Sequence, residues 1–294
     1  MSAVTALDEA GRKNRRDQAK NITDVLTLPA VFQRLLSIMD QAHSSTSQLE
    51  EIIRNDSALT ARIIAVANSA HYGLNYKIST VHRAIMAIGF DELRKISQGV
   101  SLILHFKPKK SLEGLDFSLL WLHSLATAHA AQILSKHFPM LNPDSLYSAG
   151  ILHDVGKVLL YTHFINDLEA IKAIKDEQNL PWPQAEDAYG LHHAELGAWV
   201  GEAWGLPPDL LNPIRDHHNP LYDNKDCLPS AIISLSNIFA NLAGLNFMSE
   251  PPGPLNPALR DALNLTPDHF RNDWQVFVRK IPQIKQYWQS LMSV

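Results

Sequence analysis

"GILHDVGKVLL", residues 150–160, joins an apolar run to an adjacent histidine and aspartate, His153 and Asp154, with Gly156 and Lys157 following at once. Asn142 and Pro143 open the helix that runs into this stretch, and His153 falls seven residues after Leu146, on the inward stripe. An imidazole and a carboxylate buried together need partners, because moving either out of water alone is costly. Successive side chains on a helix point about 100° apart, at about 3.6 residues per turn. His153 and Asp154 can therefore grip one ion only near a helix end or a bend, which Gly156 is placed to supply. Lys157, one turn past His153, is placed to meet a phosphate.

Outward from this doublet, helical periodicity runs nearly throughout and strand signals are scarce. Upstream, Asp116 caps a long helix in which His123 shares the apolar face with Leu119, Ala126 and Ala130. Downstream, helices are expected over 157–178, 183–204, 208–218, 228–244, 257–264 and 267–292. His193 shares a stripe with Gly197, Val200 and Trp204, His217 and His218 end "PPDLLNPIRDHH", and Asn237 shares a face with Ile233 and Ala240. A lone inward histidine is more often an ordinary core residue. Several of them with a carboxylate suit a divalent ion such as Zn, Fe, Mn or Mg. The same angular spacing gives His217 and His218 different roles, one as ligand and one as an outer contact.

Residues 22–106 show about five short helices. Thr27 can cap the first, with Pro29 in its first turn; Ser47 and Glu50 form a capping-box pattern; Leu59, Ile63 and Val66 make one stripe; a further helix starts at Ser79 and stops at Gly89. "KPKKSLEG", 107–114, is charged and aperiodic and marks a boundary. The expected fold is all-α in two lobes: an N-terminal tail over 1–20, a helical bundle over 21–110, and a second helical domain over 115–294 with a C-terminal extension, the bundle packed on the domain. In "ANSAHYG", residues Asn68, Ser69, His71 and Tyr72 read either as a polar helix end or, with Arg62, as a contact surface. Trp274, Phe277, Ile281 and Trp288 form an aromatic stripe belonging to a core or an interface.

The bulk properties narrow the function. Of 294 residues, 46% are hydrophobic and 19% charged, enough for a real core, and the net charge of −4 argues against general affinity for nucleic acid or an anionic membrane. The basic cluster at 11–20 reads as a solvated tail; the alternative of a nucleic-acid arm lacks aromatic support. One cysteine, Cys227, excludes an internal disulfide framework and a thiolate cage. No signal-peptide core and no membrane-length apolar run occurs, so the expected compartment is the cytoplasm.

"GILHDVGKVLL" resembles the signature of the HD superfamily of metal-dependent phosphohydrolases. With "LTLPAVFQRLLSIMD", "IIRNDSALTARIIAVANSAHYG", "ISTVHRAIMAIGFDELRKI", "HHAELGAWVGEAWGLPPDLL" and "IRDHH", the chain from about 25 to 245 resembles the HDOD family, an offshoot of the HD proteins found in bacterial signalling. The resemblance implies an HD-like domain with an added N-terminal lobe, in a regulatory protein that acts through a signalling partner or a nucleotide ligand. It implies an HD metal set of His123, His153 and Asp154, extended by His193, His217 and His218 as in relatives that cleave cyclic dinucleotides. The set normally closes with an aspartate, and here Asn237 stands at the matching position. Asparagine keeps the oxygen donor and loses the charge, which weakens metal affinity and activation of water. The alternative the resemblance leaves open is a metal-dependent phosphodiesterase of nucleotides or cyclic dinucleotides, with Asp154 and Lys157 catalytic. The oligomeric state stays open.

Overall fold

The computed structural model describes residues 6–21, 29–38, 46–69, 71–106, 116–220, 228–247 and 257–292, residues 290–292 by backbone alone. Every regular element among them is helical: α1 (Glu9–Asn21), α2 (Ala30–Ser37), α3 (Thr46–Arg54), α4 (Ser57–Ala67), α5 (Val81–Ile88) and α6 (Phe90–His105). Then come α7 (Phe117–Ser135), α8 (Pro143–Leu152), α9 (Val155–Thr162), α10 (Ile165–Gln178) and α11 (Trp182–Tyr189). The chain ends with α12 (His193–Ala203), α13 (Pro208–Asp216), α14 (Leu228–Leu242), α15 (Pro257–Leu263) and α16 (Pro267–Met292). They form two compact units, one of residues 1–27 and 108–278, the other of residues 28–107 and 279–294.

Local chemistry sets the boundaries. The Asp116 side chain accepts from the Ser118 amide to start α7, and Asn142 accepts from the Asp144 amide to start α8, with Pro143 in the first turn. Asp56 caps α4 in the same way, and Thr80, one residue later than expected, caps α5. Ser47 lies inside α3 and is not its cap; Thr27 falls outside the described residues. Two expected long helices are each two. The segment 157–178 breaks at His163–Phe164, and 183–204 breaks at Gly190, which ends α11 at φ +89, a conformation glycine adopts without strain.

In the smaller unit, Phe32, Leu35, Leu49, Ile53, Leu59, Ile63 and Leu93 are fully buried and form the core around α6. Asn68 of "ANSAHYG" has a structural task here: its amide donates to the Ile64 and Ile78 carbonyls at 2.8 and 2.7 Å, and its oxygen accepts from the Ile78 amide at 2.7 Å. α16 is shared between the units. Its first part packs Phe270, Trp274 and Phe277 around Phe239 of α14 at centroid distances of 5.2, 5.4 and 5.8 Å, so this end of the aromatic stripe is core. From Arg279 onward the helix clusters with the smaller unit, where the sequence suggested an extension of the larger one.

The larger unit also corrects the expectation of a tail over 1–20. α1 lies on α12. Arg12 pairs with Glu195 at 2.7 Å and Lys20 with Glu202 at 2.8 Å, both exposed and each worth about 1 kcal/mol or less. Arg15 holds both oxygens of Asp167 at 2.8 and 3.0 Å, and that carboxylate is buried and also accepts from the Tyr189 hydroxyl at 2.7 Å. The Leu7 amide donates to the Tyr189 carbonyl at 2.7 Å. The basic cluster is thus largely matched to carboxylates of its own unit.

Two close helix contacts in the larger unit, α7 on α8 and α9 on α12, depend on glycine. A Cβ on Gly150 of α8 would sit 2.5 Å from the Cα of Ala128 on α7. A Cβ on Gly156 of α9 would sit 1.8 Å from the His193 carbonyl oxygen on α12. Only glycine fits at either place.

Candidate metal centre

His153 caps the end of α8 and Asp154 precedes the first residue of α9, so the doublet straddles a break between helices. This is the geometry that the angular separation of neighbouring side chains demands. Gly156 does not supply the bend; it lies inside α9 and admits the backbone of His193. The doublet and the histidines around it all belong to the larger unit, carried by α7, the α8–α9 junction, α12 and the end of α13.

The two carboxylate oxygens of Asp154 face different neighbours. Oδ2 lies 3.5 Å from His123 Nε2, 3.4 Å from His153 Nε2 and 3.1 Å from Lys157 Nζ. Oδ1 lies 3.3 Å from His193 Nε2 and 3.5 Å from His217 Nε2. His193 Nε2 is also 3.4 Å from His217 Nε2 and 3.0 Å from His218 Nε2. Asp154, His123, His153, His193, His217 and Lys157 are all 5% exposed or less, whereas His218 is exposed and His192 half-buried. Solvent therefore meets the centre on the His192–His218 side.

The far nitrogens of the rings explain this convergence. His123 Nδ1 lies 2.7 Å from the Leu245 carbonyl, His153 Nδ1 2.8 Å from the Gly150 carbonyl, and His217 Nδ1 3.1 Å from the Pro213 and Ile214 carbonyls. Carbonyl oxygens only accept, so each Nδ1 carries the proton and each Nε2 turns a lone pair inward. His193 Nδ1 meets a carboxylate instead, Glu186 Oε2 at 2.5 Å. Nitrogen lone pairs facing carboxylate oxygens at 3.3–3.5 Å need a cation or a proton between them. Buried as they are, His153 Nε2 and Asp154 Oδ1 make no hydrogen bond of good geometry. Metal–nitrogen bonds of about 2.0–2.1 Å put tetrahedral ligands roughly 3.3 Å apart, and the observed separations bracket that spacing. The donor set fits a divalent metal. Three triads have ligand atoms within 4.8 Å of one another: His123/His153/Asp154, Asp154/His193/His217 and His192/His193/His218.

Proton affinities differ around the centre. Burial, reinforced by His217 and His123, holds His153 well below the usual imidazole range against the pull of Asp154. Burial pushes the Asp154 carboxyl upward, but His153, Lys157, His193 and His217 together hold it well below the usual carboxylate range. Burial lowers His193, yet Glu186 and Asp154 outweigh it and push the ring up to about 9. His192 is pushed down to about 3 by burial and by the neighbouring His193.

The structure thus gathers six of the seven expected metal residues in one cluster: His123, His153, His193, His217 and Lys157 face the Asp154 carboxylate, and His218 meets His193. Asn237, the remaining one, is buried on α14, which packs on α7 and α8, and its oxygen accepts from Asn241 Nδ2 at 3.1 Å. Two neighbours escaped the sequence reading. His192 is the N-cap of α12, its Nδ1 accepting from the Ala194 amide at 3.2 Å. Glu186 is a fully buried carboxylate on α11 between the buried Trp182, Ala185 and Tyr189. Its place on that apolar stripe was the available signal, and reading 183–204 as one helix concealed it.

An all-helical unit with a buried His-Asp doublet, ringed by inward-turned imidazoles, defines a domain of the HD type. The HDOD domain profile matches residues 25–220, and the chain belongs to the HDOD family. An uncharacterized protein of Treponema pallidum is 28% identical over 207 residues, which are 68% of this chain and 39% of the relative, so this chain spans well under half the relative's length. A crystal structure of a candidate signal transduction protein from Marinobacter aquaeolei superposes with a TM-score of 0.79 at 20% identity, covering 98% of this chain and 67% of the other. A candidate phosphohydrolase from Shewanella amazonensis superposes with a TM-score of 0.72 at 19% identity, covering 94% and 97%. At these identities the likeness is one of fold. No helix among the described residues is long and apolar enough to cross a membrane.

Proposed function

We propose that this protein is a regulatory module of bacterial signal transduction that acts through a protein partner or a nucleotide ligand, with a divalent metal held in its HD-type centre. Asn237 carries the choice of regulation over turnover: it is buried on α14 with its oxygen bonded to Asn241, a neutral group where the family resemblance implies a closing carboxylate. Asn237, in place of a closing carboxylate, takes away negative charge that activation of water relies on. The Marinobacter relative's description as a candidate signal transduction protein agrees with this reading.

The metal would be held by His123, His153 and Asp154 on one side, and by Asp154, His193 and His217 on the other, with His218 at the solvent edge. When bound it supplies Lewis-acid chemistry. The chain's own groups do the rest. Nδ1 protons on carbonyl and carboxylate acceptors orient the imidazoles, Lys157 offsets the Asp154 charge, and the packed helices leave solvent access on the His192–His218 side.

One observation favours a second reading, a phosphohydrolase: Asp154 offers each oxygen to a separate histidine group, as a pair of ions clamping one phosphate requires. Metal analysis of protein purified without chelator, then assays on cyclic and linear nucleotides with Mn or Fe, separates the two. Bound metal with no hydrolysis supports the regulatory module. Hydrolysis that disappears in Asp154→Ala replaces it with the enzyme, and a protein that takes up no metal and gains no stability from added ions removes the metal from both.

A further inference from the structure

We infer that Glu186 is the positioning residue of this centre, holding His193 so that its Nε2 faces Asp154, His217 and His218. This rests on the metal-binding reading and assigns a role to a residue outside the ligand set. The carboxylate is fully buried. Its Oε2 accepts from the His193 ring at Nδ1, 2.5 Å away, and from the His193 backbone amide at 3.1 Å. One oxygen therefore fixes both ends of the residue, backbone and ring. The proton on Nδ1 is committed to that bond, which leaves Nε2 to turn toward Asp154 Oδ1 at 3.3 Å.

The surrounding helices make Glu186 specific to this task. The φ +89 turn at Gly190 folds α11 back so that a residue seven positions before His193 lies beneath its ring. On the opposite side, the glycine at 156 admits the His193 carbonyl against α9. His193 is thus held at its carbonyl, its amide and its ring. The other three inward imidazoles take their orientation from neutral carbonyls. A carboxylate in that place raises the basicity of the ring, and such outer partners typically tune metal affinity by about 10–100-fold.

A purely structural role, as an acceptor that caps α12, predicts something different. Glu186→Ala and Glu186→Gln are compared with the unaltered chain by Co(II) titration, following the visible d–d spectrum. The expected result is a 10–100-fold weaker affinity and an altered spectrum for Glu186→Ala, on the scale found for such partners. Glu186→Gln keeps an acceptor and restores the spectrum while staying weaker than the parent. A folded Glu186→Ala protein with parental affinity and spectrum overturns the assignment.

Histidine-ring 15N NMR of the metal-free protein in alkaline buffer, where the ring is neutral, tests it separately from the metal. His193 should carry its proton on Nδ1 in the parent and in Glu186→Gln. An Nε2-protonated His193 in the parent overturns the assignment even if metal binds. An Nδ1-protonated ring in a chain that binds no Co(II) keeps Glu186 as the positioning residue while the metal reading fails.

Discussion

The two oxygens of Asp154 face unlike surroundings. On the Oδ2 side, His123 and His153 are buried, their far nitrogens bonded to carbonyls, and the nearest cation is Lys157. Burial keeps the His153 ring neutral at neutral pH, its one proton on Nδ1. On the Oδ1 side, His193 is bonded to a carboxylate and keeps its proton up to about 9, and the neighbouring His218 opens to solvent. One side is ready for a metal but poor in negative charge. The other is rich in imidazole and must release a proton first, since ligating histidine has to be neutral. The two sides should therefore load separately, with the Oδ1 side gaining affinity as pH rises toward 9 and the Oδ2 side nearly flat.

The largest expected effect removes what the two sides share. Asp154→Ala should abolish metal uptake on both sides and destabilise the metal-free protein by about 3–5 kcal/mol, because it takes the carboxylate from a buried ammonium. Elemental analysis and a denaturation curve measure both. Retained metal at parental stoichiometry would break the idea of a shared carboxylate. Gly156→Ala comes next. Its new Cβ would meet the His193 carbonyl oxygen at 1.8 Å, so α9 and α12 must part, at the upper end of the about 1–3 kcal/mol that overpacking costs. The Oδ1 side should lose affinity and the Oδ2 side keep it, and equal loss on both would show that the sides are not separable.

In chelator, the two sides should also shape the pH dependence of stability in opposite directions. His193 has a folded-state pKa near 9 against about 6.5 unfolded. Its contribution is fully present below pH about 6.5 and is lost as pH rises through about 9, by up to roughly 3 kcal/mol. His153 is displaced the other way, so the unfolded chain binds its proton first and stability falls as pH drops below about 6.5. Denaturation from about pH 5 to about pH 10 should show a maximum near neutrality. Glu186→Gln should flatten the alkaline limb alone; a change in the acid limb instead would merge the sides.

Much of this was legible in the sequence. The helical class follows from the periodicity, and the inward stripes carrying His123, His153 and His193 place those rings in the core. The angular separation of adjacent side chains put His153 and Asp154 at a helix end, where they are. What the sequence left unread came from short-range breaks and long-range pairing. The turn at Gly190 interrupts an otherwise continuous helical pattern, and with it went Glu186 and the capping role of His192. The basic residues at 11–20 looked solvated because their partners, Asp167, Glu195 and Glu202, lie more than 150 positions along the chain. Gly156 looked like a hinge because local sequence reports a missing side chain without reporting what fills its space.

The smallest expected effect bears on the charge deficit of the Oδ2 side. Asn237 lies on α14, against α7 and α8, which carry His123 and His153. Its oxygen already accepts from Asn241 Nδ2, and a carboxylate there can keep that bond without change of shape. Asn237→Asp should therefore add charge and little else. In chelator the added buried carboxylate should lower the melting temperature through desolvation. With Mn(II) present the order should reverse, with about tenfold tighter binding, equivalent to about 1.4 kcal/mol. Because the gain belongs to the Oδ2 side, it should persist in a His193→Ala background and vanish in a His153→Ala background. Loss of the gain in the His193→Ala protein would tie Asn237 to the opposite oxygen, and the charge deficit would then belong to the solvent side of the centre.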